Sequence, residues 1–308
     1  MRGDKSIILK AKRFHEDPAA DAVLRKLRSY LDTTEPDLVY FLTNLWKNEG
    51  KAITYKELRE AILNGYIDPE WIKQWQQDYS KFVSDILQPK WLEAMTVAIT
   101  ELEEKYPEWY FNPGADGVRD WAKNRAAAFV TNSTNEQVDG ISALIKRATG
   151  VEAMSVDRLS RAIRPLIGLN TQQSIANLNY YEKLIENGVK AEKAQDLALR
   201  YAARQHRYRA YMIARTELAF AYNKGADEGI RQAQAKGYMG EVVKVWSTAL
   251  DERVCSICGG LDGAVIAMDE DFKFKTKLSA TNPGICRTPP AHPHCRCAVI
   301  YKEVQRKN

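Results

Sequence analysis

Cysteine is absent from the first 254 of 308 residues, and histidine occurs only four times. No stretch approaches the roughly 18 consecutive apolar residues that a membrane span requires. The opening residues, MRGDKSIILKAKRFHED, hold neither a long apolar core nor a small-residue cleavage site, so no secretory leader is expected and the reading is a cytosolic product. H-x-E and H-E-x-x-H are both missing, which removes the zinc deaminase and zinc protease signatures. There is no tandem repeat and no low-complexity tract.

What is present is ordinary for a soluble globular protein: 45% hydrophobic and 28% charged residues, with length enough for two domains or three. The net charge of +5 is compatible with an acidic or nucleic-acid partner without requiring one. Residues 1–16 are basic and aperiodic and read as an arm. From Pro18 the pattern is helical, with Val23, Leu24, Leu27 and Leu31 on one face, and Leu38, Phe41, Leu42 and Leu45 marking a second helix over Asp37 to Asn48. Thr54 with Glu57 has the form of a capping box. Asp68-Pro69 opens a helix whose stripe is Trp71, Trp75, Tyr79, Phe82 and Ile86. That spacing reads as core rather than as a base-stacking platform. Pro89 and Trp91 should restart the helix to about Lys105.

PEWYFNPGADG (107–117) is the strongest punctuation in the first half and marks a boundary. Helices are expected from Val118 to Asn132, from a cap at Ser133 or Thr134 to a stop at Gly150, from Ser155 to about Ile167, and from Thr171 to Gly188. One or two long helices should follow over 191–234. Arg200 to Arg215 holds five arginines and no acid. Arg200, Arg204 and Arg207 share one helical face, as a stripe that could neutralise phosphates or as a solvated surface. After Gly240 the pattern turns to short β-branched runs, VVKVW, AVIAM and CAVIYKEV, which read as strands. The fold class expected is mainly α, an elongated helical body with a small C-terminal α+β module that is β-rich and zinc-knuckle-like. The segments are 1–117, 118–240 and 241–308.

All five cysteines, at 255, 258, 286, 295 and 297, fall in that last segment beside His292 and His294. In a reducing compartment, paired short spacings favour metal binding over disulfides. Cys255-x-x-Cys258 is a knuckle spacing that can turn two thiolates toward one tetrahedral ion, with Gly259-Gly260 letting the backbone fold round it. Two more ligands would come from His292, Cys295 and Cys297, with His294 as a competing donor and Cys286 peripheral. A structural zinc would stabilise so small a module by on the order of 10 kcal/mol. Disulfides between the same cysteines, or simple buried thiols, are the alternatives. A catalytic metal lacks its acid and base partners: an HNH-like nuclease needs a further histidine, and only His15 and His206 remain.

WSTALDERVCSICGGLDG followed by PPAHPHCRC resembles the C-terminal signature of phage Mu F-type minor head proteins, the head morphogenesis family. The residues that carry it are Trp246, Thr248, Asp251, Arg253, Cys255, Cys258, Leu261, Asp262, Gly263, Pro289, Pro290, His292, Cys295, Arg296 and Cys297. Upstream, Arg215, Thr216 and Glu217 resemble the family's A-R-T-E helix, and GLNTQQSIANL around Gly168 also fits. The resemblance covers roughly 165–303. His294 departs from it, since asparagine is more usual there. The resemblance implies a non-enzymatic virion protein inside the capsid, bound to the portal, acting in procapsid assembly and in packaging and ejection of the genome. Scaffold or major capsid protein is a further partner expected, with no membrane, and the arginine stripe of Arg200, Arg204 and Arg207 offers a non-specific contact to double-stranded DNA. The cluster would be a structural zinc site held together by Trp246, Asp251, Arg253 and Arg296. The alternative is a zinc-dependent DNA-processing or toxin-like domain with Asp251 or Glu217 as acid or base.

Overall fold

The computed structural model describes residues 18–149, 155–249, 251, 253–276 and 279–304. The basic arm at 1–16 and the stop at Gly150 lie outside them. The helices are α1 (Pro18–Ala52), α2 (Tyr55–Asn64), α3 (Pro69–Phe82), α4 (Gln88–Lys105), α5 (Asp116–Thr149), α6 (Val156–Ile163), α7 (Thr171–Glu186), α8 (Ala191–Ala235) and the short α9 (Ser256–Leu261). The strands are β1 (Val242–Ser247), β2 (Val265–Ala267), β3 (Phe272–Thr276), β4 (Ser279–Cys286) and β5 (Ala298–Glu303). The fold is therefore mainly α with small antiparallel sheets at its C-terminal end, as the sequence pattern implies.

Three helix boundaries differ from expectation, each for a visible reason. The two helices expected in 18–52 are one, with Pro36 in its interior. Leu27, Leu31, Thr34, Glu35, Leu38 and Leu42 are all buried, so the stripe stays in helical phase past the proline and packing outweighs the lost N–H. Pro89 does not restart a helix. A π-turn over Val83–Leu87, with Gln88 N–H bonded to the Val83 carbonyl, widens the backbone just before it and lets α3 run on into α4. Ser133 and Thr134 cap nothing. They are buried mid-helix alongside Gln137, Ile141 and Leu144, so α5 runs unbroken. Thr54 and Asp68 do cap α2 and α3, and α7 is capped by Asn170 with Gln173.

The chain gathers into two compact units, and each is discontinuous in sequence. One comprises the described residues of Met1–Glu35, Pro89–Trp121 and Met212–Asn308; the other comprises those of Pro36–Gln88 and Ala122–Tyr211. The division falls inside α1, α5 and α8, and after the first residue of α4. In the second unit, Trp71, Trp75, Tyr79 and Phe82 are buried, so the aromatic stripe of α3 is core. Behind it runs a chain of polar contacts. Trp46 Nε1 donates to the Tyr79 hydroxyl at 2.8 Å, which donates to Gln137 Oε1 at 2.9 Å, while Gln137 Nε2 donates to Glu49 Oε2 at 3.0 Å.

In the first unit α4 lies tight against α8. A Cβ at Gly225 would stand 2.3 Å from the Met95 backbone, so only glycine allows the approach. The three-stranded sheet has the order β2-β1-β5, all antiparallel, with Val245 opposite Val265 and Ile300, and Trp246 opposite Val299. β3 and β4 pair as a separate ribbon. Central β1 thus brings Trp246 beside the strand that leaves Cys297. Trp246 is fully buried against Phe272, ring centroids 5.0 Å apart, in a core shared with Cys258, Leu261, Cys295, Cys297 and Val299.

Candidate metal centre

Cys255 is the N-cap of α9, and its sulfur accepts the Cys258 N–H at 3.4 Å. One helical turn therefore turns both sulfurs to the same side, and the amide already compensates negative charge on the first. The return side of the chain supplies the remaining donors. His292 Nε2 lies 3.0 Å from Cys255 Sγ and 3.1 Å from Cys258 Sγ, and Cys295 Sγ lies 3.6 Å from Cys258 Sγ. A tetrahedral zinc with ordinary bond lengths separates its ligands by about 3.7 Å for two sulfurs and about 3.5 Å for sulfur and nitrogen. The Cys258–Cys295 separation matches that spacing, and the two contacts of His292 are about half an ångström shorter than it.

The histidine is oriented for the task. His292 Nδ1 sits 2.7 Å from the Pro293 carbonyl oxygen, which can only accept, so Nδ1 carries the proton and the Nε2 lone pair faces the thiols. The turn is closed by Cys295 N–H on the His292 carbonyl at 3.2 Å. Its third residue, His294, has φ 63, in the left-handed region that asparagine and histidine tolerate best. That explains why either residue type suits the position. His294 donates its backbone N–H to Thr216 Oγ1 at 3.2 Å and belongs to neither donor group.

Two groups of donor atoms converge: Cys255, Cys258 and His292, and Cys258 with Cys295 and Cys297. Cys258 belongs to both. This Cys/His cluster is a place that could hold a metal ion. None of the cysteines is in a disulfide, and Cys286 stands outside both groups, its thiol pushed up to about 12 by burial. The hydrogen bond between the Cys258 and Cys295 sulfurs pushes the Cys258 thiol up and brings Cys295 down to about 3. That contact favours the thiolate on Cys295, the form a metal needs.

The motif residues around the cluster brace it. Arg296 grips Asp251 in a fork, Nη1 to Oδ2 at 2.6 Å and Nη2 to Oδ1 at 2.5 Å, which lowers the Asp251 carboxyl to about 2. Arg253 donates its backbone N–H to the same carboxylate at 3.1 Å while its side chain stays exposed. Asp262 Oδ1 accepts from both the backbone and hydroxyl of Thr248, each at 3.0 Å. Gly263, at φ 73, then hands its N–H to the Trp246 carbonyl at 2.9 Å, which is why a glycine follows Leu-Asp. Replacing Asp251 with Asn should cost about 2 kcal/mol, the worth of a charge-assisted pair. Because the folded carboxyl sits below its unfolded value of 3.8, this stabilisation is present above pH 4 and disappears as pH falls toward 2. Urea titrations at pH 3 and pH 7 should show wild type and Asp251→Asn converging at the lower pH.

One functional residue has no signal in the motif. Asn223 on α8 accepts the Val299 N–H at 3.2 Å and donates to the Cys297 carbonyl at 3.3 Å, tying the last cysteine to the helix. A polar residue in an alanine-rich helix was the only available hint. Along the same helix, Arg200, Arg204 and Arg207 are exposed, as the stripe required. Arg200 is already paired with Asp196 at 3.0 Å, and Arg204 stands over the Tyr201 ring. Arg209 is fully buried against Glu136, and Arg215 is paired with Glu35.

Residues 179–300 match the family described as Phage Mu protein F like protein, and every donor of the cluster lies within that span. The chain is 32% identical over 164 residues to the minor head protein GP7 of Bacillus phage SPP1, a match that covers 50% of this chain and 52% of that protein. It therefore spans about half the length of the curated relative it matches. No solved structure matches. Among the described residues, no helix is long and apolar enough to cross a membrane.

Proposed function

We propose, from the premise that residues 179–300 form a Phage Mu F-like region, that this chain is a minor head protein of a tailed phage. It sits inside the capsid in the virion, having been made in the host cytoplasm, and is bound to the portal. There it acts in procapsid assembly and in packaging and ejection of DNA, with scaffold or major capsid protein among its neighbours. The observation that carries this is the agreement of the family match, over the part of the chain that holds the cluster, with a 32% identical relative named as a minor head protein.

The cluster is a closed structural zinc site with Cys255, Cys258 and two of His292, Cys295 and Cys297 as ligands. Those residues would hold zinc as a crosslink between the α9 turn and the turn at 292–295. This chain's own residues orient the donors, through Pro293 and the Cys258 amide, and exclude water, through Trp246 and Phe272. The proposal also includes non-specific DNA contact, for which the sequence offers the α8 stripe Arg200, Arg204 and Arg207 as one candidate surface. The enzymatic reading fares worse on chemistry. Asp251 is held ionised by Arg296 with a depressed pKa, the opposite of a general base poised near neutrality.

Co-expression with the neighbouring portal protein tests the assignment. The chain should co-migrate with portal rings on gel filtration. Recovery only as free protein, combined with metal-dependent cleavage of DNA, would overturn it.

A further inference from the structure

The second unit contains an open cleft of about 620 Å³ between α1, the start of α2, the turn after α6 and the first half of α8. Five basic side chains line it, Lys47, Lys51, Arg161, Arg164 and Arg207, and no acidic one does. Lys47, Lys51, Arg161 and Arg207 are exposed, and none of the four has a carboxylate partner among the described residues. Lys47 and Lys51 are one turn apart on α1, so their stems rise from the same face about 6 Å apart. Positive charges gathered in a concave surface reinforce one another and raise the local concentration of anions.

We propose that this cleft is a binding site for the phosphate backbone of double-stranded DNA. The inference rests on the reading that the chain contacts DNA, and it relocates that contact from the outer arginine stripe to the cleft. Arg207 is common to both. The stripe is the poorer candidate because Arg200 is already neutralised by Asp196.

The geometry also selects the ligand. A free phosphate would call for buried donors converging on a point, whereas these cations ride on long exposed stems along three chain segments, as an extended polyanion requires. Single strands are held by stacking bases on aromatic faces. Here the lining offers little of that: Arg164 covers one face of the Tyr55 ring at 4.7 Å while its guanidinium bonds the Gly50 and Lys51 carbonyls, and Trp46 is buried. Backbone charge without base contact is the mode that suits duplex DNA of any sequence.

The test uses the full chain, a fluorescent duplex of random sequence, and anisotropy read across a salt series. Wild type should bind with an affinity that falls steeply with salt. The variant K47Q/K51Q/R161Q/R207Q, which leaves the structural Arg164 in place, should lower the slope of log affinity against log salt by about 3 to 4, close to 0.9 per lost phosphate contact. R200Q/R204Q should leave that slope unchanged. Circular dichroism and a thermal melt check that the variants fold, and lysine footprinting of wild type needs no variant: duplex should protect Lys47 and Lys51 but not Lys73.

Wild-type slope in the cleft variant with unprotected Lys47 and Lys51 would overturn the cleft while leaving DNA contact elsewhere intact. No binding by wild type at low salt would overturn both readings. Tighter binding of single strands or RNA than of duplex, or displacement by inorganic pyrophosphate at equal phosphate concentration, would overturn the duplex assignment.

Discussion

Cys258→Ser is expected to strip the metal and unfold the C-terminal module. Cys258 is the one donor common to both groups, with sulfur–nitrogen and sulfur–sulfur separations of 3.1 and 3.6 Å to His292 and Cys295. Five short strands and a six-residue helix provide little burial of their own. A structural zinc contributes on the order of 10 kcal/mol to such a fold, more than the net stability of most domains. Limited proteolysis should therefore cut the variant between β1 and β5 under conditions that leave wild type whole, and a strong chelator should reproduce the pattern in wild type. Cys286→Ser, outside both donor groups, should keep full metal content. A Cys258→Ser protein as resistant as wild type would mean that burial around Trp246, not a metal, holds the module.

The second large effect lies in the other unit and concerns Glu49. Burial raises its carboxyl from 4.5 to about 8, with the Gln137 hydrogen bond acting in the opposite direction and the Asp78 charge adding to the rise. Geometry points the same way, because Gln137 donates to Oε2 and no group donates to the buried Oε1. The folded value lies above the unfolded one, so the favourable contribution is complete below pH 4.5 and is lost as pH rises through 8. Over that window the loss is on the order of 5 kcal/mol. Glu49→Gln should keep the Gln137 contact and remove the dependence, so that urea midpoints at pH 9 exceed those of wild type while the two agree near pH 5. His206 acts at the other end. Its pKa is lowered by burial, so its contribution is present above 6.5 and is lost as pH falls. A wild-type midpoint that tracks that of Glu49→Gln from pH 5 to pH 9 would show that Glu49 is ionised in the fold.

What the sequence made legible follows from which signals are local. Caps at Thr54 and Asp68 and the strands around Trp246 depend on neighbours in the chain and could be read directly. The passage of α1 through Pro36 and of α5 through Ser133 could not, because long-range burial decides them against local preference. The ribbon β3–β4 escaped notice because Lys273, Lys275, Asn282 and Pro283 break the apolar alternation that marks a strand. At the cluster, spacing nominated the donors but left five or six for four places. The structure sorts them into two triplets that share Cys258, His292 with Cys255 and Cys295 with Cys297, while His294 is diverted into a left-handed turn. The Asp251–Arg296 fork was legible as a pair of motif residues, yet Asn223, some seventy residues from the strand it holds, was not.

The claim at the centre of this account is a closed structural metal site, and X-ray absorption at the zinc edge on protein purified under reducing conditions addresses it most directly. The expected result is one zinc per chain with three sulfurs at about 2.3 Å and one nitrogen at about 2.0 Å, unchanged by substrate-like additives. Absence of metal, or a shell containing oxygen from water at an open position, would contradict it.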